Sequence, residues 1–222
     1  MVAARHERQT MPRIRFASFA SLVSTSALAA LAGCASQPFA VVPDTSQLER
    51  APDAPPKSKA TVGYFIPNAY RQSEIKAIGD AGSYFPYRDM EAGYRQVLGN
   101  LFEGVFRLEA FNDAEAIRAA GVQYIVVPEL ATSSVSSHTL TGSSSVFSVE
   151  LTSNVRCPGG ALIANPQVIA QSTGEMQESL LDKGAAGRRA MGEALAKAQK
   201  ALAAVKLEAD GAGSLCGARP HR

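Results

Sequence analysis

Tryptophan is absent from this chain, and histidine and cysteine number only three each in 222 residues. Those scarcities exclude a good deal of chemistry. His6 lies in the leader and His221 at the end, which leaves His138 as the histidine of the body. A metal centre needs several nitrogen or sulfur ligands converging on one point. One histidine with Cys34, Cys157 and Cys216 gives no such spacing, so neither a metal nor a cofactor is expected. A serine hydrolase would have to use His138. Serines are abundant beside it, but no Gly-x-Ser-x-Gly elbow appears, and a serine-rich loop is a poor place to hold catalytic geometry to about 0.5 Å. Gly79-Asp80-Ala81-Gly82 lacks the lysine of a phosphate-binding loop. The expectation is a protein that is not an enzyme.

An excess of one charge is also missing. The formal net charge is +2, and four of the 22 basic and one of the 20 acidic residues precede Cys34. The remainder carries 18 basic and 19 acidic residues. A near-neutral domain has no electrostatic footprint for a phosphate backbone, so nucleic acid is not an expected partner.

What is present begins with the leader. Arg13 and Arg15 precede an apolar, small-residue run from Phe16 to Leu31, with Met11 as an alternative start. This is signal-peptide architecture, too short and too rich in small residues for a membrane-spanning helix. The run ends in Leu31-Ala32-Gly33-Cys34, which resembles the bacterial lipobox. The resemblance implies cleavage before Cys34, a diacylglycerol thioether on its sulfur and acylation of its new amine, with residues 1–33 removed. Each buried methylene contributes about 0.8 kcal/mol, and more than one acyl chain makes attachment stable. Ala35 stands where an aspartate would retain an enteric lipoprotein in the inner membrane. The expected location is therefore the periplasmic side of the outer membrane.

Residues 34–59 hold five of the twelve prolines, Pro38, Pro43, Pro52, Pro55 and Pro56. Proline has no amide donor and blocks helix and central strand, so this stretch reads as a semi-rigid, disordered spacer. Extended, it would reach roughly 75 Å.

A folded domain is predicted over 60–208. Val62, Tyr64 and Ile66 alternate on one face of a strand over 61–66 that Pro67 ends. After a polar loop to about Tyr87, Met90, Tyr94, Val97, Leu101 and Val105 recur as one helix face, with Gly104 as its stop. A short strand over 106–110 follows. Asn112 and Glu115 form a capping-box pattern for a helix over 113–120 that Gly121 closes. Val122–Val127 reads as a buried central strand. Thr132–Ser145, with seven serines and three threonines, reads as a strand end running into a mobile hairpin loop. Phe147–Arg156 alternates cleanly as an antiparallel strand with one wet face. Pro158-Gly159-Gly160 is a turn, and Leu162–Ser172 is the partner strand, which Pro166 places at an edge or a bulge. Met191, Leu195, Ala198, Leu202 and Val205 mark a last helix, and residues 209–222 read as a disordered tail. The predicted class is α+β, in the order β-α-β-α-β-β-β-α, with one mixed sheet and helices mainly on one face. Cys157 and Cys216 either pair as a disulfide or remain two free thiols.

This order, with the helix and strand from Met90 to Ala110 and the run Ala114–Val127, resembles the amino-terminal domain of the TolB translocation protein. It is also similar to relatives of that domain among periplasmic lipoproteins, including penicillin-binding-protein activators and curli-secretion lipoproteins. Tyr84–Glu91 resembles a motif of uncharacterised proteobacterial lipoproteins. The resemblance implies no catalytic residues.

The aromatic and basic group Tyr84, Phe85, Tyr87 and Arg88 is the candidate partner-binding segment, because aromatics and arginine anchor protein interfaces. In the alternative, Tyr84 and Phe85 cover the end of the sheet and Arg88 pairs with Asp89 or Glu91. The functional expectation is a lipid-anchored envelope accessory protein that binds another envelope protein. A carrier or sensor of a small apolar ligand or lipid, auxiliary to an envelope transporter and with its pocket among Tyr94, Leu98, Phe102 and Phe147, and a hydrolase are the alternatives.

Overall fold

The alternation over 61–66 belongs to β1 (Ser58–Phe65). In the computed structural model, which describes residues 38–50, 52–78, 82–139, 142–207 and Cys216, β1 is the second strand of a six-stranded mixed sheet. It runs parallel to β4 (Phe102–Leu108) on one side and to β5 (Tyr124–Thr139) on the other. Two short strands, β2 (Ile75–Lys76) and β3 (Ser83–Tyr84), form a separate antiparallel ribbon. β6 (Gly142–Arg156) returns antiparallel to β5 and pairs on its far side with β7 (Leu162–Ala164) and β8 (Gln167–Gly174).

Helices connect these strands. α1 (Asn68–Arg71) is a single turn after Pro67. α2 (Pro86–Leu101) joins β3 to β4, and α3 (Ala114–Ala119) joins β4 to β5. α4 (Met176–Leu181) and α5 (Ala185–Ala203) end the domain. The principal elements therefore follow β-α-β-α-β-β-β-α, an α+β fold as the sequence predicts. No described helix is long and apolar enough to cross a membrane.

One face of the sheet is dry. Phe147, Val149, Leu151 and Val155 of β6 join Tyr124 and Val126 of β5 and Val62 and Tyr64 of β1 in one core with Met90, Tyr94 and Val97 of α2 and Met191 and Leu195 of α5. Tyr94 is wholly buried there and donates its hydroxyl to Ser153 Oγ at 2.8 Å. On the other face, α3 covers only the end of β1, β4 and β5, over Leu108, Val122 and Ile125. The remaining β5–β6–β8 surface alternates outward as Glu129, Ala131 and Ser133 on β5, Ser148, Glu150 and Thr152 on β6, and Gln167, Ile169 and Gln171 on β8.

Several local expectations are corrected. α2 stops at Leu101, because Phe102 takes an extended conformation (φ −124°, ψ 147°) and starts β4 at once. Gly104 is thus a strand residue rather than a helix stop. A Cβ there would lie 3.1 Å from the Thr61 side chain, so glycine permits β4 to close on β1. Asp113, not Asn112, caps α3, its carboxylate accepting from Ala116 N at 3.0 Å. Gly121 does leave the helix in the left-handed region, at φ +63°. The predicted strand over 162–172 is broken at Asn165-Pro166, and Pro166 O accepts from Ser153 N at 2.9 Å.

The larger correction concerns Thr132–Ser145. The expected strand end and hairpin are there, but the loop is far shorter than expected: β5 and β6 stay paired from Ile125–Arg156 out to Thr139–Gly142. Serine and threonine form a β ladder through their backbones, and each strand end needs no apolar partner once the register is set by the buried half.

Candidate functional site

The proline-rich stretch does not hang free of the domain. From Pro38 onward it lies along α2 and α5, and Thr45–Leu48 form a turn of 3-10 helix capped by Asp44. Val41 and Leu48 are 0% and 1% exposed. The buried Asp89 carboxylate of α2 accepts from Val41 N at 2.9 Å. Gln96 donates to Thr45 O at 3.3 Å, and Asn100 donates to Leu48 O and to Gln199 Oε1. Glycines on α5 and just before it admit the arm. A Cβ at Gly184 would stand 2.0 Å from Ala40 O, and one at Gly187 would stand 2.5 Å from Val41. The expected disordered spacer is therefore corrected for residues 38–50. Sequence reasoning weighed the prolines there and passed over the isolated Val41 and Leu48. Cys34 and Leu31, Ala32 and Gly33 lie outside the described residues.

Beside the arm stands the aromatic segment. Tyr84 is fully buried, with ring centroids 5.3 Å from Phe39 and 5.1 Å from Phe147 and its hydroxyl 3.0 Å from Thr132 Oγ1. Tyr87 is buried too. Its hydroxyl accepts from Leu130 N at 2.8 Å, and its ring lies 5.2 Å from Tyr70. Burial pushes both hydroxyls above the usual tyrosine pKa. Arg88 is exposed, sits 4.0 Å over the Phe85 ring and pairs with Asp89 at 3.3 Å. Tyr84 and Tyr87 are thus packed into the core, as in the alternative reading of this segment. Pairing of β3 with β2 and a proline at the first helical position turn them inward. Phe85 and Arg88 remain accessible.

Two depressions flank this core. One, of about 290 Å³, opens on the wet sheet face and is lined by Tyr70, Tyr87, Glu129, Leu130, Glu150 and Thr152. The other, of about 330 Å³, lies between the arm and the end of α5 and includes Arg50, Pro55, Phe102, Lys200 and Leu207. The sheet–helix interface expected for an apolar ligand is filled by its own side chains. Tyr94, Leu98, Phe102 and Phe147 are each no more than 3% exposed. Among the described residues, no group of three or more His, Cys, Asp or Glu could hold a metal ion. The side chain of His138 lies outside the described residues.

Several acids and bases are paired. Glu91 of α2 pairs with Arg71 at 2.9 Å and with Arg107 at 3.7 Å. Asp182 pairs with Arg188 and Glu178 with Arg189, and these side-chain hydrogen bonds hold both carboxyls below their usual pKa. Of the two alternatives for the body cysteines, the structure shows the pair. Cys157, after β6, is bonded to Cys216, with Cα atoms 5.4 Å apart. Closing a 59-residue separation lowers the entropy of the unfolded chain by an amount worth about 4 kcal/mol.

Neither a protein-family profile nor a curated protein sequence matches the chain. Solved structures that resemble it include a minor lipoprotein from Acinetobacter baumannii, at 12% identity and TM-score 0.43, covering 69% of this chain and 97% of that one. A Xanthomonas campestris protein of the DUF330 family matches at 10% identity and TM-score 0.44, over 76% of this chain and 90% of that one. PelC from Paraburkholderia phytofirmans, solved as a dodecamer, matches at 14% identity and TM-score 0.34, over 68% and 92%. At these identities and scores the likenesses say nothing about activity.

Proposed function

We propose that this protein is a lipid-anchored accessory protein of the bacterial cell envelope, non-catalytic, that binds another envelope protein. The observation that carries the reading is the leader: two arginines, an apolar run and Leu31-Ala32-Gly33-Cys34 in that order. Cys34 is the residue acylated, and Ala35 after it favours the periplasmic side of the outer membrane. The binding surface belongs to the β5–β6–β8 face that no described helix covers, together with the accessible Phe85 and Arg88. That face is broad and polar, and α2 and α5 both pack on the opposite side. Interfaces of non-obligate complexes are no more apolar than ordinary protein surface, so the polar character of this face suits a partner that comes and goes.

The test has two parts. Cys34→Ser should abolish incorporation of labelled palmitate and release the protein from the membrane fraction; unchanged palmitate labelling would defeat the anchor. A photo-crosslinking residue at Ser148, in the middle of the open face, should capture one dominant envelope protein in living cells, whereas the same residue at Glu193 on α5 should not. Equal capture from both positions, or from neither, would defeat the partner reading.

A further inference from the structure

The pocket expected between sheet and helices is filled, but a groove stands open at the end of the domain where α2 and α5 finish. It measures about 330 Å³ and lies between Leu101 of α2, Phe102 of β4, the last turn of α5 and residues 54–56. Ligand pockets begin at about 300 Å³. Pro55, Leu101 and Leu202 give it apolar walls, and Arg50, Lys200 and Lys206 line it too. Lys200 and Lys206 are exposed and Arg50 is half-buried. Among the described residues, no aspartate or glutamate lines it.

The cations are placed by the backbone around them. Arg50 Nη2 donates to Ala54 O at 3.3 Å and to Pro55 O, which folds the proline segment round the groove. Lys206 is the one described non-glycine residue with a left-handed backbone, at φ +51°. That conformation is uncommon for a side-chain-bearing residue. It turns Leu207 inward, where it is buried and its carbonyl accepts from Ser58 Oγ at 2.6 Å, and it leaves the Lys206 side chain exposed beside the groove. None of the described ion pairs uses Arg50, Lys200 or Lys206. Arg188, Arg189 and Lys197, farther back on α5, each have an acid. A rival role for the two lysines is to neutralise the end of the helix. Ala204 N and Val205 N already satisfy the carbonyls of Lys200 and Leu202, at 3.3 and 3.1 Å. A helix C-terminus carries about half a negative charge, so the two that meet here do not offset three cations.

We infer that this groove binds an amphipathic anion, an apolar chain ending in a carboxylate or phosphate, with the chain against Pro55, Leu101 and Leu202 and the head among Arg50, Lys200 and Lys206. A wholly apolar ligand would leave the cations unused, and a small inorganic anion would leave the apolar walls in water. An amphipathic anion satisfies both. Its affinity falls as salt rises, because the head binds at a solvent-exposed mouth where ions screen the attraction. The site goes beyond the accessory role and depends neither on a protein partner nor on acylation of Cys34.

The full chain carrying Cys34→Ser, free of detergent, is titrated by calorimetry with decanoate, decyl phosphate, decanol and decyltrimethylammonium, each below its micellar concentration, and amide NMR shifts locate the site. The expected result is saturable binding of decanoate or decyl phosphate, with shifts at residues 199–207, and no such shifts from the decyl cation. The tighter of the two anions tells a fatty acid from a phosphate-bearing lipid. Decanol and the double variant Lys200→Glu, Lys206→Glu should each show binding weaker by about tenfold or more, the loss expected for charge-assisted contacts. Ala203→Phe, at an exposed position lining the groove, should block it. Thermal midpoints check that both variants fold; if one does not, the wild-type shift map and the comparison of anion with cation decide. Saturable binding of neither anion, equal binding of the decyl cation, or anion binding that survives both folded variants overturns the inference.

Discussion

The arm before β1 and the outer half of the β5–β6 hairpin are both poor in apolar residues, yet they are held by opposite means. The arm has few backbone partners of its own kind. It is fixed by side chains driven into a groove, Val41 against Gly187 and Leu48 between α2 and α5, and by one carboxylate, Asp89, that satisfies the Val41 amide. Among its described side chains the hairpin's outer half buries Ser134 and Phe147, and it is fixed largely by its ladder, in which each residue from Ser133 to Thr139 faces one on β6. Removing a side chain should therefore damage the arm and spare the hairpin. A ladder depends on the backbone, whereas a docked segment depends on the few groups that fill its groove.

Three substitutions sharpen that contrast. Leu48→Ala removes a buried side chain from the arm and should cost about 2–5 kcal/mol, read as a lower urea midpoint together with faster tryptic cleavage after Arg50. An unchanged rate of cleavage would mean that the arm is held elsewhere. Asp89→Ala leaves the Val41 amide buried without an acceptor. It should cost about 1–3 kcal/mol, again with earlier cleavage at Arg50; a stability loss without that local opening would make Asp89 a general helix residue rather than the clasp of the arm. Smallest is Ser133→Ala, on the wet face of β5, where the change in stability should stay within about 0.5 kcal/mol. A loss above 1 kcal/mol by urea titration would show that serine side chains, and not only the ladder, order the hairpin.

The same contrast explains how much was legible in the sequence. Strands and helices with a sustained apolar period, such as Val62-Tyr64-Ile66 and Phe147–Val155, were readable because the period states which face is buried. Met90-Tyr94-Val97 was readable for the same reason. The extension of that pattern to Val105 failed, because steps of three and four across a helix-to-strand junction can match by coincidence. The serine-rich hairpin was illegible because strand pairing is a contract between two segments, and neither half carries an apolar stripe. The candidate site divided in a similar way. Aromatics at 84, 85 and 87 signal burial and interface alike. Only the packing of Tyr84 on Phe39 and Phe147, and the bond from Leu130 N to Tyr87, settle two of them as core. The arm was missed because two apolar residues among prolines make no period at all.

Composition and local pattern were enough to set out the order of the main elements, the near-neutral charge of the domain and the lipobox-like Leu31-Ala32-Gly33-Cys34, since each is written in contiguous residues. The tertiary structure decided where Pro38–Arg50 lies, that β5 and β6 stay paired into the serine-rich stretch, that Cys157 meets Cys216 across 59 residues, and that Tyr84 and Tyr87 face inward. Each of these depends on groups distant in the chain, and burial and backbone pairing become favourable only when the rest of the fold has brought those groups together.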